Sequence, residues 1–418
     1  MAEIGHGGKE IQERIMKPSE AKEAIQGLPQ YPIRKQLANE VISLAYGWFC
    51  PLEGFMGKKD VDSVVKNTTL SDGTIWPIPI LFDMSDQEIS EYGVDAGKSL
   101  VLTFDGNPMA LFEVEEVFEY DREAMCQSVF GTADAEHPGC DRTYNYKDKF
   151  VAGKITLLQE PSINEPYTSY FLPPLKMRQV IKEQKGWSRS VAHQTRNVPH
   201  TGHEWLMKSA FYQAYGDLSI EKPEVGVVVN AIIGEKRKKD YIDEAIILCQ
   251  DELEKAGYFG PHNHLTSLTF WDMRYAGPKE AIFHAILRTN LGISHHMFGR
   301  DHAGVGDYYG GYDAHYMLDS VRDKLDITPV YSMNWLYCPV CAEITSEGLC
   351  NHKDKQQKFS GTLIRSIVTD GVKPPRLIIR PEVFDVVQEC AEKYGQGSPF
   401  VTDDYLENRI AVFTIKPL

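Results

Sequence analysis

From Val191 to Phe298 short apolar runs alternate with stretches of helical periodicity. Val191 to Thr195, Val225 to Ile233, Leu265 to Phe270 and Ile293 to Phe298 are short runs set between the helical stretches, which predicts strands. Glu204 to Tyr215, Tyr241 to Ala256 and Pro278 to Asn290 repeat their apolar positions at helical spacing. Strand, helix, strand in succession predicts a parallel sheet covered on both faces, with ligands bound beyond the carboxyl ends of the strands. The region before this is different. Over residues 1 to 170 one helical stretch (Val41 to Tyr46) precedes β-rich runs at Trp76 to Phe82, Leu100 to Phe104 and Ala110 to Phe118, with Asp105-Gly106 as a hairpin turn. After residue 330 the pattern ends in strand-like pieces at Arg376 to Arg380 and Ile410 to Ile415. The expected fold class is therefore α/β: a β-rich N-terminal domain (1–170), a central parallel-sheet domain (171–330) and a small C-terminal α/β domain (331–418).

Composition narrows the function. The 418 residues carry 44 basic against 59 acidic side chains, a formal charge of −15, which repels nucleic acid and anionic membrane surfaces. An anionic ligand must therefore be gathered by a local basic pocket. No run of 18 apolar residues occurs and the N-terminus has no secretory pattern, so a cytoplasmic protein is expected. The basic run Lys236-Arg237-Lys238-Lys239 is read as a solvated loop. Five of the eight cysteines are scattered, whereas Cys338, Cys341 and Cys350 cluster with His352. A C-x-x-C opening followed by Cys and His within 15 residues suits a structural tetrahedral Zn²⁺ or a similar transition metal.

Two segments follow predicted strands and carry chemistry. Gln194-Thr195-Arg196-Asn197 runs into His200-x-x-His203, two imidazoles on one face of a helix start whose N–H groups and dipole favour phosphate. The spacing alone also permits the imidazoles merely to cap and pack the helix. Gly299-Arg300-Asp301-His302-Ala303-Gly304-Val305-Gly306 combines glycines that admit close backbone approach with Arg and His donors. Gly93-Val94-Asp95-Ala96-Gly97-Lys98-Ser99 is one residue short of a P-loop and is read as a turn before a strand, so no fused kinase domain is expected.

QTRN with H-x-x-H-E, Met273 to Arg288 (MRYAGPKEAIFHAILR) and GRDHAGVG, in this order, resemble the ATP sulfurylase family. Val129 to Asp134 with His137-Pro138-Gly139, Ser360-Gly361-Thr362 with Arg365, and Arg380 to Val383 extend the resemblance over most of the chain. Asn197-Val198-Pro199-His200 and Val305 depart from the family's usual residues without removing a donor or charge. The resemblance implies a Rossmann-like nucleotidylyltransferase domain that joins ATP and sulfate into adenosine 5′-phosphosulfate and pyrophosphate. It implies Gln194, Arg196 and Ala303 for sulfate; Gln194, Thr195, Arg196, Asn197, Gly299, Arg300, Asp301 and His302 for the nucleotide; and Thr195, Arg196, Asn197, His200, His203 and Arg300 for catalysis. Mg²⁺ would accompany ATP or pyrophosphate, and a homodimer is expected. The alternatives left open are an adenylyltransferase with another acceptor and a zinc-knuckle nucleic-acid binder.

Overall fold

The structure, a computed structural model, describes residues 2–216, 224–346, 348–359 and 361–418; Ser360 of the motif noted above lies outside them. The N-terminal part contains helices α1 (Pro18–Ala24), α2 (Lys35–Ala45), α3 (Lys58–Asn67), α4 (Asp86–Tyr92), α5 (Arg122–Phe130) and α6 (Pro138–Tyr144). Its strands are β1 (Gln30–Pro32), β2 (Gly54–Phe55), β3 (Phe82–Met84), β4 (Ser99–Phe104), β5 (Asn107–Phe118) and β6 (Lys149–Leu157), in the order β1-β4-β5-β6-β2 with β3 also on β6. Asp105 and Gly106, at φ 49° and 77°, turn β4 into β5 as the sequence predicts. The strand expected over Trp76 to Phe82 is absent: Pro77 and Pro79 have no N–H to give a ladder, and pairing starts only at Phe82. Trp76, Ile78 and Ile80 are buried there all the same. Gly93 closes α4 in the left-handed region before Ser99 opens β4, a helix-to-strand turn and thus the reverse of a P-loop.

The chain then continues through β7 (Ser162–Ile163) and α7 (Pro174–Gln179) into β8 (Arg189–Thr195), α8 (Thr201–Tyr215), β9 (Val225–Ile233), α9 (Asp243–Lys255), β10 (His264–Phe270), α10 (Pro278–Asn290), β11 (His295–Phe298), α11 (Asp313–Ser320) and β12 (Thr328–Tyr331). The strands form one parallel sheet, β10-β9-β8-β11-β12. All nine residues of β9 are buried, which is why it reads as an unbroken apolar run. The edge strand β12 was not predicted, because four residues containing Pro329 carry little signal. Succession runs one way from β8 to β10 and resumes on the other side at β11. The switch point between β8 and β11 therefore sets the loops after Thr195 and Phe298 side by side.

The last part holds a three-stranded antiparallel sheet, β13 (Trp335–Cys338), β14 (Glu343–Ser346) and β15 (Gln357–Lys358), then α12 (Gly361–Thr369), α13 (Pro381–Lys393), α14 (Asp403–Asn408) and β16 (Phe413–Thr414), which pairs with β7. Arg376 to Arg380 is a turn and not a strand, since Pro374-Pro375 start it and Ile378 N–H donates back to Pro375 O. Ile410 to Ile415 shortens to β16. The basic run is not wholly solvated: Lys236, its side chain 4% exposed, pairs with buried Asp243 at 2.6 Å. Among the described residues no helix is long and apolar enough to cross a membrane.

Candidate active site

The turn after β8 is built by its own side chains. Thr195 Oγ1 accepts from Asn197 N–H at 3.0 Å and donates to Asn197 O at 3.1 Å, closing the turn. His200 is the N-cap of α8, its Nδ1 accepting from Gly202 N–H at 3.1 Å. A Cβ on Gly202 would lie 2.9 Å from the His200 ring and 3.0 Å from Phe359, so glycine is needed there. The rings of His200 and His203 lie 3.8 Å apart, with Phe359 stacked on His200. The Arg376 to Arg380 turn fixes this helix start: Thr201 N–H donates to Ile378 O, and Arg380 Nε binds Glu204 at 2.8 Å.

Burial pushes His203 down to about 4 and His193, on β8, to about 3, and holds His200 well below the ordinary imidazole value. The imidazoles are thus neutral at pH 7. His264, on β10, is likewise driven to about 3 by burial and then by Lys185. A folded value below the unfolded one means that the unfolded chain binds more protons between the two, so stability falls as pH drops from about 6.5 toward 4. His264→Gln removes one such group, and between pH 7 and pH 5 its urea midpoint should fall less than that of the unaltered protein. Parallel losses would contradict this.

The loop after β11 carries Asp301 and Ala303 at φ 54° and 55°. A Cβ on Gly304 would stand 2.0 Å from Asp301 Oδ1, so a larger residue there would displace the Asp301 carboxylate. Gly277 N–H donates to Ala303 O, tying this loop to the Met273–Pro278 segment. Tyr275, itself at φ 59°, accepts a 2.7 Å hydrogen bond on its hydroxyl from Arg196 Nη1. The guanidiniums of Arg196 and Arg237 lie 5.3 and 4.4 Å from the centre of that ring. Neither pairs with a carboxylate among the described residues. In a chain of charge −15, two unneutralised guanidiniums on one ring make an anion-collecting mouth. From the N-terminal part, His137 Nε2 comes within 3.1 Å of Tyr275 O, which gives the His137-Pro138-Gly139 segment a bracing place.

These loops enclose a cleft of about 220 Å³. Of the residues expected from sequence, Gln194, Thr195, Arg196, Asn197, His203, Asp301, His302 and Ala303 line it. His200 faces an adjoining chamber shared with Asn197, His203, Tyr241 and Arg365. Gly299 and Arg300 line neither: Arg300 is exposed and packs on Gly311, where a Cβ would stand 2.7 Å from its Nε. No motif in the sequence gives a role to His193, Met273 or Tyr275, which line the cleft, or to Arg365, whose buried Nε has no hydrogen-bond partner among the described residues. Arg237 falls in the basic run read as a solvated loop. Alternation along β8 was the available signal for His193, two residues before Thr195.

The sulfur and nitrogen ligands of Cys338, Cys341, Cys350 and His352 all lie within 4.8 Å of one another, and the set can hold a metal ion. Tetrahedral zinc with Zn–S of about 2.3 Å and Zn–N of about 2.0 Å requires S···S near 3.8 Å and S···N near about 3.5 Å. Cys341 and Cys350 Sγ are 3.8 Å apart, and His352 Nδ1 is 3.7, 3.4 and 3.5 Å from the sulfurs of Cys338, Cys341 and Cys350. Trp335, leading into this knuckle, stacks on Trp205 of α8 at 5.5 Å.

Comparison with known proteins shows the family. The ATP-sulfurylase family profile matches residues 168–390, and a PUA-like domain profile matches residues 4–160. A sulfate adenylyltransferase of Archaeoglobus fulgidus is 38% identical over 96% of this chain and 94% of its own length. One from Thermococcus onnurineus is 39% identical over 93% of this chain and 98% of its own. A solved structure titled hexameric APS kinase from Thiobacillus denitrificans superposes with TM-score 0.70 at 18% identity, covering 92% of this chain and 68% of that one, a likeness of fold.

Proposed function

The chain belongs to the ATP-sulfurylase family, and from that premise we propose how its cleft carries out the reaction. The protein is a sulfate adenylyltransferase, forming adenosine 5′-phosphosulfate and pyrophosphate from ATP and sulfate, reversibly. A sulfate oxygen attacks the α-phosphorus and the bond to the β-phosphate oxygen breaks, releasing pyrophosphate. Sulfate is already a dianion, so no base has to remove a proton. The task is to hold two repelling anions in line, by position and positive charge.

Gln194, Arg196 and the Ala303 backbone hold sulfate; Thr195 and Asn197 meet the phosphates; Asp301 and His302 wall the nucleotide side. His200 and His203, neutral before substrate arrives, give hydrogen bonds to the α-phosphate and the departing pyrophosphate, with Arg365 completing their chamber. Arg300 reaches the nucleotide only by leaving its seat on Gly311, and Gly299 contributes its backbone. The observation that carries this reading is the switch point that places Arg196 and Ala303 on one cleft. Asp301 is the one carboxylate among the residues lining that cleft, so the protein offers Mg²⁺ few ligands of its own; an Mg²⁺ arriving with ATP or pyrophosphate would supply charge neutralisation there. Cys338, Cys341, Cys350 and His352 hold Zn²⁺, which supplies a structural clamp. The second domain boundary falls after Tyr331, so that β12 stays with its sheet, and we further propose a cytoplasmic homodimer.

The test is pyrophosphate-dependent ATP formation from adenosine 5′-phosphosulfate with Mg²⁺. The unaltered protein should turn over, and His203→Ala should fall by about two orders of magnitude. A folded, metal-loaded protein without turnover would favour another adenylyl acceptor.

A further inference from the structure

Helix α10 carries an imidazole that the reaction as described does not use. His284 is wholly buried, yet it lies between the two loops that form the cleft. Its Nδ1 is 2.9 Å from His302 Nε2, and its Nε2 is 3.4 Å from the Gln194 side-chain nitrogen. Glu280, one helical turn earlier, places Oε1 3.6 Å from the same Nε2. That carboxylate is fixed: it accepts from Trp271 Nε1 at 2.7 Å and from the N–H groups of Arg274 and Ala276 at 3.0 Å each.

The proton count in this group is informative. With the Gln194 NH₂ toward His284, Nε2 must be a bare acceptor that faces the Glu280 carboxylate, acceptor against acceptor. Gln194 Oε1 is then buried without a donor among the described residues. Turning the amide over, an exchange of two atoms of equal shape, removes both defects. His284 Nε2 then carries the proton, beside Glu280, and donates to Gln194 Oε1. Its Nδ1 accepts from His302 Nε2–H. The Gln194 NH₂ then takes the place of Oε1, on a residue that lines the cleft, and is the group offered to an incoming acceptor.

We propose that His284 is a positioning residue for the sulfate side of the reaction: as the Nε2–H tautomer set by Glu280, it turns the Gln194 NH₂ toward the bound anion and anchors His302 on the opposite wall. This rests on the assignment of Gln194 to sulfate. Substrate discrimination thus depends on a ring that never touches substrate. A site with a fixed outward donor favours a fully ionised tetraoxyanion over an anion that must itself donate.

The experiment compares His284→Gln, His284→Leu and Gln194→Ala, measuring KM for sulfate and for Mg-ATP separately. Glutamine keeps an N–H where Nε2 was; leucine keeps only volume. Expected is a rise in sulfate KM of about tenfold or more for His284→Leu, with Mg-ATP KM within about twofold and sulfate KM restored most of the way in His284→Gln. Equal damage in the Gln and Leu variants, or equal change for both substrates, overturns the proposal. An unchanged sulfate KM in Gln194→Ala instead overturns the assignment of Gln194 itself. Should the leucine variant fail to fold, two-bond ¹H–¹⁵N correlation of histidine-labelled unaltered protein reads the tautomer directly. With the His284 signal identified by its loss in His284→Gln, a proton on Nε2 supports the proposal and one on Nδ1 overturns it.

Discussion

Replacing Arg196 by alanine lowers kcat/KM for sulfate by about 10²- to 10³-fold and leaves the unfolding midpoint almost unchanged. The two expectations have separate causes. Arg196 is exposed, and its one side-chain hydrogen bond among the described residues goes to the Tyr275 hydroxyl, so the fold does not depend on it. Its guanidinium nevertheless lines the cleft in a chain whose overall field opposes anions. Lysine is no substitute, because a point charge neither stacks on Tyr275 nor forms a two-pronged contact with an oxyanion. Arg196→Lys should therefore remain at least about tenfold impaired. Steady-state kinetics in the synthetic direction, with pyrophosphate removed, and a thermal melt check both. A lysine variant of full activity would show that charge alone suffices.

With Zn²⁺ held by the cysteine knuckle as proposed, stripping it should lower activity by about tenfold or more and loosen the described residues between 335 and 358, with recovery on adding Zn²⁺. The coupling runs through aromatic contacts. β13 and β15 belong to the knuckle sheet; Trp335 of β13 stacks on Trp205 in α8, and Phe359, directly after β15, stacks on His200 at 5.7 Å. Without its clamp the small sheet has little core of its own, and the His200 ring loses one side of its seat. Cys350→Ser should reproduce the effect, while an alanine at exposed Val340 should not. Metal content, activity and hydrogen exchange over 335–358 check this. Full activity in a verified metal-free preparation would separate the knuckle from catalysis.

The parallel sheet was legible chiefly from β9, whose nine buried residues form a nearly continuous apolar run, and from the helical stretches between the strands; β8 and β10 interrupt theirs with His193, Gln194, Thr266 and Ser267. α10 matched its predicted limits, with Pro278 at its first turn. Errors fell where proline breaks the correspondence between apolar content and pairing, at Trp76 to Leu81 and at Arg376 to Arg380. The cleft residues Gln194 to Asn197 and Asp301 to Ala303 were legible from motif chemistry. Tyr275, Arg237 and Arg365 were not, since nothing local distinguishes a solvated arginine from one over a ring or in a chamber.

What the sequence determined by itself is the kind of chemistry present: donors and charges grouped after two strands, four metal-type ligands within 15 residues, and a surplus of acid that confines anion binding to one place. Such groupings are local, and the chain order writes them directly. What only the tertiary structure decided is which of those groups meet. Arg300 turned out onto Gly311 while Arg237 came in over Tyr275, and the buried His284 met Gln194 and His302. Those meetings depend on the order of strands in the sheet and on the few directions a packed side chain can take. Both are set by burial of the whole core and leave no mark on the neighbouring sequence.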